Sequence, residues 1–327
     1  MGKRRIIEGN SQEARKMRRQ ELGPLKSLII KPATLERYRR AADHFFAHLR
    51  RQREPIPQTP EIMDIVLSEY IGELWEEGHS KSLAGDTISG LQHHQPSLKG
   101  ELKTSWRYLK AWQQAEVPAR APPFSLQTLA IFCGWAHQQN PHWALALQLG
   151  FHALLRTGEL LQLQAKDCTV QQDHIHLFLG QTKTSFRNAN VDSVHFRHHQ
   201  LALLLGAWKN SVRKNAYLVD CSNTAFRTWF ARGLRDTSLE HIGYKPYSLR
   251  RGGATHVFTE SHSYSTVTQQ GRWSSQQTVR VYIADSLALL NDLNLRLSPI
   301  HFTCLRQWNA VLRELELSAR RRNGERG

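Results

Sequence analysis

The sequence predicts a mainly α-helical protein with one small antiparallel β-sheet, an α+β arrangement divided into two units. Apolar residues recur at helical spacing through most of the chain. One stretch, residues 174–196, instead alternates apolar and polar side chains as a β-hairpin does. Three prolines in VPARAPPF, residues 117–124, interrupt the helical pattern and predict a linker between the two units.

The composition narrows the class of partner. The chain has 327 residues, of which 40% are hydrophobic and 22% charged, as is typical of a soluble globular protein. It carries 44 Lys and Arg against 28 Asp and Glu, a net charge of +16, which favours nucleic acid as a partner over small neutral substrates. No apolar run approaches the roughly 20 residues that span a bilayer, so we expect no membrane partner. Its 4 cysteines form no C-x-x-C pair, which fits an intracellular, reducing compartment.

The same patterns predict where the units begin and end. Residues 1–30 are polar and basic, and we expect them to form a disordered tail. After this tail we expect a helical unit over 31–117, a linker over 118–124 and a second unit over 125–292. Residues 293–327 predict a C-terminal amphipathic helix with a basic tail. That helix has the character either to dock on a neighbouring subunit or to pack on its own.

The first unit consists of helices with basic outer faces. Residues 34–50 place apolar side chains on one helical face and most arginines elsewhere. Residues 59–78 have Thr59 as the N-cap, Pro60 in the first turn and Gly78 as the stop signal. Weaker helical patterns cover 83–95 and 101–117. We expect the basic side chains of the first and last of these helices to contact DNA phosphates: Arg37, Arg39, Arg40, Lys103, Arg107 and Lys110.

Four segments of the second unit carry residues suited to a phosphodiester. Each is ordinary alone, since an arginine and glutamate three residues apart usually pair on a surface, a hairpin lysine is usually solvated, and tryptophans and tyrosines usually pack. The segments are LLRTGELLQL with Arg156 and Glu159, GQTKTSF with Lys183, YSLRRGGATH with Tyr247 and Arg250, and GRWSSQQTVRVYI with Trp273 and Tyr282.

Taken in order and with their spacing, these segments resemble the motifs of the tyrosine recombinase (phage integrase) family, including members from eukaryotic mobile elements. Arg156 and Glu159 match the family's first-arginine motif, and Lys183 lies in the hairpin that carries its lysine. YSLRRGGATH is similar to the H-x-x-R box, with a tyrosine in place of the histidine. GRWSSQQTVRVY is similar to the G-H-x-x-x-x-T-x-x-x-Y ending, with a tryptophan in place of the second histidine. The resemblance covers roughly residues 32–288.

The resemblance implies a core-binding domain followed by a catalytic domain. It also implies a site-specific recombinase that cleaves and rejoins DNA through a covalent 3′-phosphotyrosine, without metal, ATP or another cofactor. Tyr282 would be the nucleophile, Lys183 would protonate the departing 5′-oxygen, and Glu159 would orient an arginine. Such enzymes act on double-stranded DNA as homotetramers, in the nucleus if the source is a eukaryote.

Physical chemistry independently supports a phosphate site. A guanidinium group offers paired donors to phosphate oxygens and stays charged at working pH. Arg156 and Arg250 are therefore suited to binding a phosphate together. Trp273 can donate its indole N–H to the same phosphate, and Tyr247 is a neutral hydrogen-bond donor at neutral pH. We also expect Arg251 and Arg272 to bind DNA, although Arg251 can alternatively pair with an internal carboxylate.

Other classes of protein remain as alternatives. A type IB topoisomerase uses similar chemistry, but the short first unit and the motif spacing favour recombination. A metal-dependent nuclease or transposase needs clustered carboxylates, and no motif in the sequence indicates such a cluster. The histidine pairs likewise lack companions at ligand spacing, so we expect no metal. The remaining alternative is a catalytically inactive, DNA-binding descendant of a mobile-element recombinase.

Overall fold

A computed structural model describes residues 11–116, 120–180, 191–292 and 296–324. These residues form two compact units, 11–116 and 120–324. The described parts are predominantly helical, with one small antiparallel sheet in the second unit, which confirms the predicted fold class. None of the helices within these ranges has both the length and the apolar content to cross a membrane.

The N-terminal region corrects one expectation. Residues 12–22, predicted to be part of a disordered tail, form helix α1 (Gln12–Leu22), and a short helix α2 (Leu25–Leu28) follows. The Ser11 side chain accepts a hydrogen bond from the N–H of Ala14, and Gly23 ends α1 with a φ of 80°. No residue of α1 is buried. Capping and good helix-forming residues therefore specify this helix. Hydrophobic periodicity could not predict it, because it has no apolar face.

The rest of the first unit packs four longer helices around one core. They are α3 (Pro32–Gln52), α4 (Pro60–Glu76), α5 (Lys81–His94) and α6 (Lys103–Ala115), with a 3₁₀ turn at Pro96–Leu98. As predicted, the Thr59 side chain caps α4. The buried Asp64 carboxylate of α4 accepts the N–H groups of Thr104 and Ser105 at 2.8 and 2.9 Å, which fixes the start of α6. Leu67, Tyr70, Phe45 and Ile88 lie at the centre of this core.

The second unit begins with helices followed by the sheet. Its first elements are α7 (Leu126–Gln139), α8 (Pro141–His152), the short α9 (Thr157–Leu160), β1 (Cys168–Gln171), β2 (His174–Gly180) and β3 (Asp192–Arg197). Within the described residues the strand order is β1-β2-β3 and both pairings are antiparallel. The predicted alternation is confirmed in β2, where Ile175, Leu177 and Leu179 are buried. Strand β1 has four residues, which is too short for an alternation of apolar and polar side chains to predict it.

The remaining helices complete this unit and carry most of the predicted site. They are α10 (His199–Ser211), α11 (Asn223–Asp236), α12 (Tyr247–Ser261), α13 (Tyr264–Gly271), α14 (Gln276–Asp292) and α15 (Pro299–Gly324). Helix α15 packs against α7 and buries Cys304 and Trp308. A Cβ added to Gly134 of α7 would lie 2.7 Å from the Cys304 carbonyl carbon, so this glycine allows the two helices to touch. The C-terminal helix is therefore part of the core of its own unit.

Candidate active site

The predicted arginines meet because α12 lies almost directly on the end of α8. Gly252 approaches the backbone of Phe124, and Gly253 approaches the backbone of Phe151. A Cβ on Gly253 would lie 2.8 Å from the Phe151 carbonyl carbon and 2.7 Å from Leu154 Cδ2. No side chain larger than hydrogen fits at that separation. The double glycine therefore sets the distance between Arg250 on α12 and the turn that leads from α8 to α9.

Arg250 is buried with almost no exposed surface. Its Nη1 donates to the Leu154 carbonyl oxygen and its Nη2 to the Gly271 carbonyl oxygen, so it joins the turns that follow α8 and α13. The guanidinium lies over the Trp273 ring, 4.2 Å from the ring centroid. Burial, with the nearby charges of Arg156 and Arg272, lowers the pKa of Arg250 to about 10. The group is therefore still charged at neutral pH.

Glu159 holds two other guanidiniums in the same place. Its Oε1 accepts from Arg156 Nη1 at 2.6 Å, and its Oε2 accepts from Arg272 Nη2 at 2.6 Å. Oε2 also accepts the backbone N–H of Arg156 at 2.8 Å, which caps α9. The Arg156 side chain is 29% exposed, whereas those of Glu159 and Arg272 are 8% exposed. Arg156 is thus the most accessible of the three for an incoming anion.

Tyr282 of α14 lies beside these residues. Its ring centroid is 5.6 Å from that of Trp273 and 6.2 Å from that of Tyr247. The residue is 8% exposed, and its hydroxyl makes no hydrogen bond to a described residue. Burial, and to a smaller extent the neighbouring Tyr247 phenol, raises the pKa of Tyr282 above its usual value, so the hydroxyl is neutral. Tyr282 lines an open cavity of about 560 Å³ together with Tyr247, Arg251 and Thr278.

Arg251 is oriented within the protein. It is 1% exposed, and its Nε and Nη2 donate to Ser286 Oγ at 3.2 and 2.9 Å. Its Nη1 donates to the Ala121 carbonyl oxygen at 2.9 Å, and its guanidinium lies 5.1 Å from the centre of the Tyr282 ring. These bonds connect α12 to α14 and to the chain that enters the second unit. These partners among the described residues are a hydroxyl and a carbonyl, and the predicted contact of Arg251 with DNA stays a prediction.

The remaining predicted residues are Lys183 and six basic residues of the first unit. Lys183 falls outside the described residues. The six basic residues predicted to contact DNA from the first unit are all exposed. Arg37 pairs with Asp86 at 3.0 Å, while Arg39 and Arg40 pair with Glu36 at 2.9 and 2.8 Å. Exposed pairs of this kind contribute little stability and can be exchanged for phosphates. In the described ranges, no cluster of three or more His, Cys, Asp or Glu side chains is placed to hold a metal.

Several groups or contacts of the site were not identified from the sequence, although Arg272 itself was expected to bind DNA. The carbonyl oxygens of Leu154 and Gly271 orient Arg250, and backbone groups leave no residue-type signal. Ser286 follows Tyr282 by four residues, so helical spacing could have placed it on the same face. Arg272 belongs to the arginine–glutamate cluster, and its position next to Trp273 was the available signal.

Comparison with known proteins identifies the fold. No protein-family model matches this chain, and no curated protein matches it. The Tn1549 transposon integrase in complex with transposon right end DNA matches with a TM-score of 0.56 and 13% identity, over 86% of this chain and 98% of that chain. A lambda integrase dimer bound to a COC′ core site matches with a TM-score of 0.55 and 15% identity, over 88% of this chain and 80% of that chain. The resemblance to tyrosine recombinases is thereby confirmed in the fold.

Proposed function

We propose that this protein is a tyrosine recombinase, a DNA strand transferase that cleaves and rejoins duplex DNA through a covalent 3′-phosphotyrosine at Tyr282. The observation that carries the proposal is the convergence of Arg156, Arg250, Trp273 and Tyr282 in one cluster, in which Tyr282 also lines an open cavity. The site lies on a fold similar to that of two integrases solved with DNA. The net charge of +16 fits a DNA substrate.

The guanidiniums supply the charge that the reaction needs. When phosphorus becomes five-coordinate, negative charge accumulates on its two non-bridging oxygens, and preorganised donors stabilise that charge best in a site with little water. Arg250 is held rigidly by two carbonyls and by the Trp273 ring, so it loses little freedom when the phosphate binds. Arg156 is partly exposed, so of the guanidiniums bound to Glu159 it is the more accessible to the phosphate.

The covalent step forms a bond between the Tyr282 phenolic oxygen and phosphorus and breaks the bond between phosphorus and the 5′-oxygen. Tyr282 gives up its proton to solvent in the open cavity that it lines, and the departing 5′-oxygen takes up a proton that we assign to Lys183. The phosphodiester energy is retained in the tyrosyl ester, so the reverse attack by a 5′-hydroxyl rejoins a strand without a nucleotide cofactor. The edge-on contact between Tyr247 and the Tyr282 ring supports a role for Tyr247 as a hydrogen-bond donor near the nucleophile.

We further propose that four copies act together on DNA. Exchange between two duplexes breaks four strands, and each site has one nucleophile that is used up in one cleavage. The exposed arginines and lysines of α3 and α6 are the proposed contacts to the DNA backbone, which position the duplex without reading its sequence.

The experiment that tests the proposal traps the covalent intermediate. The protein is incubated with a pool of nicked duplexes of randomised sequence, in which cleavage beside the nick releases a short oligonucleotide and prevents rejoining. We expect an adduct that survives denaturation, and sequencing of the trapped DNA identifies the preferred site. Tyr282→Phe removes only the attacking oxygen and should abolish the adduct while DNA binding persists. Tyr264→Phe, a matched control in α13, should form the adduct.

Two results would contradict the proposal. Adduct formation by Tyr282→Phe at the wild-type rate would exclude Tyr282 as the nucleophile. DNA binding by the wild-type protein without any adduct on the bound sequence would instead support the catalytically inactive descendant.

A further inference from the structure

Arg272 is bound into the arginine cluster through two shared acceptors. It shares the Glu159 carboxylate with Arg156, and its Nη2 also lies 3.4 Å from the Leu154 carbonyl oxygen that accepts from Arg250. Three guanidiniums are thus linked to one another by single intervening acceptors. The three guanidiniums therefore belong to one hydrogen-bonded cluster.

The donors of Arg272 are only partly used. Its Nε and Nη1 are buried and have no hydrogen-bond partner among the described residues. Buried N–H groups of a charged side chain cost free energy when they are left unpaired, so such groups in a native site call for a missing acceptor. The two free donors lie on different sides of the guanidinium, because the Nε–H points to the Nη2 side and Nη1 lies on the Cδ side, so each can donate to a separate oxygen.

Among the described residues, the charge balance of the cluster also favours an additional anion. Arg156, Arg250 and Arg272 contribute three positive charges, and Glu159 is the carboxylate bonded to two of them. Asp192 adds a weaker electrostatic attraction for Arg272, and Arg251 adds a further cation beside Tyr282. Buried charges of one sign are stable only when they are compensated, and a phosphodiester oxygen supplies the compensation.

The backbone at this place is unusual on both sides of the contact. Arg272 has a φ of 56° and Leu154 a φ of 50°, values in the left-handed region that side chains other than glycine rarely adopt. Strained residues of this kind concentrate at functional sites, where the strain places a group that an ordinary turn would direct elsewhere. Here the left-handed turn carries Arg272 towards Glu159 while the next residue, Trp273, packs on Arg250.

We infer that Arg272 is a third catalytic arginine, which binds a non-bridging oxygen of the scissile phosphate through one of its two unpaired donors, Nε or Nη1. The inference rests on the proposed recombinase function and assigns to Arg272 a contact at the reacting phosphorus rather than along the flanking DNA. The alternative is that Arg272 is a positioning residue, which acts only by holding Glu159 and, through it, Arg156.

A substrate without the phosphate charge distinguishes these roles. The duplex selected from the nicked pool is prepared with a normal phosphate or with a neutral methylphosphonate at the scissile linkage. On the phosphate, we expect Arg272→Ala to slow adduct formation by about 10²–10³-fold, the usual loss for one preorganised oxyanion donor. On the methylphosphonate, wild type and Arg272→Ala should differ by about threefold or less, because the charge that Arg272 stabilises is gone. Arg232→Ala, outside the cluster, should match wild type on both substrates.

A double-mutant comparison with Glu159→Gln separates direct contact by Arg272 from a positioning role. Glu159→Gln removes the carboxylate that Arg272 would act through, so a purely positioning role predicts no additional loss when Arg272→Ala is added to it. Direct contact predicts a further loss of about tenfold or more on the phosphate and none on the methylphosphonate. Arg272→Lys, which keeps the charge and the fold, should retain more activity than Arg272→Ala.

Failure of this inference differs from failure of the proposed function. If wild type forms no adduct on the phosphate substrate, the recombinase proposal and the inference both fail. If wild type forms the adduct, the inference alone is overturned by any of three results. These are normal rates for Arg272→Ala, an equal loss on both substrates, or no additional loss in the Glu159→Gln background.

Discussion

Gly253→Ala tests whether the close packing of α12 on α8 sets the geometry of the arginines. The added Cβ would lie 2.8 Å from the Phe151 carbonyl carbon, whereas ordinary contact begins at 3.4 Å, and it would be closer still to the Phe151 oxygen. The helix must therefore move by roughly 0.6 Å or more to relieve an obstacle that is backbone rather than side chain. That movement separates Arg250 from the Leu154 carbonyl oxygen.

The expected cost follows from two opposing effects. Overpacking of this kind destabilises by about 1–3 kcal/mol, and the rigid obstacle puts Gly253→Ala at the upper end. Replacing glycine with alanine in a helix stabilises the folded state by about 1 kcal/mol through helix propensity. The free energy of unfolding should therefore fall by about 2 kcal/mol in total. Displacement of Arg250 should also slow adduct formation about tenfold or more.

The assay is urea denaturation in parallel with the rate of adduct formation. Gly206→Ala in α10 is the matched control, because a Cβ at this position would meet no atom within 4 Å. This substitution should raise the free energy of unfolding by about 0.5–1 kcal/mol. A Gly253→Ala protein that is as stable as Gly206→Ala and as active as wild type would refute the reasoning about this contact.

Three further predictions concern DNA binding, metal dependence and the buried Arg251. Affinity for random duplex should fall with salt with a log–log slope of about −0.9 per phosphate neutralised, and a slope near zero would contradict nucleic-acid binding. Adduct formation should survive excess EDTA because guanidiniums provide the positive charge, whereas complete inhibition that Mg²⁺ reverses would favour a metal-dependent nuclease. Ser286→Ala removes the hydroxyl that accepts two hydrogen bonds from Arg251 and should destabilise by about 2–3 kcal/mol in urea. Ser261→Ala, at an exposed hydroxyl, should change stability by less than about 0.5 kcal/mol.

The sequence predicted the elements that depend on local pattern. The helix that begins at Thr59 and Pro60 and the alternation of β2 are confirmed, because capping residues and side-chain period act over a few positions. Helix α1 was missed since it has caps but no apolar face. Strand β1 was missed because four residues carry too little periodicity.

The candidate site was predictable in its residue types and less so in its contacts. Motif order identified Arg156, Arg250, Trp273 and Tyr282, and the structure brings these four together. The sequence could not reveal that Arg251 would bind Ser286 and a carbonyl, because that depends on how α12 and α14 pack. It also could not indicate that Arg272 shares Glu159, since a left-handed turn at Arg272 directs the side chain there.

Peptide mapping of the trapped adduct is the measurement that tests the central claim most directly. The protein–DNA complex is digested with a protease and a nuclease, and mass spectrometry locates the residue that carries the remaining nucleotide. The account predicts one modified peptide from α14, with the 3′-phosphate attached to Tyr282. A nucleotide on Tyr247, on Tyr264 or on a residue of any other type would contradict the assignment of Tyr282 as the nucleophile.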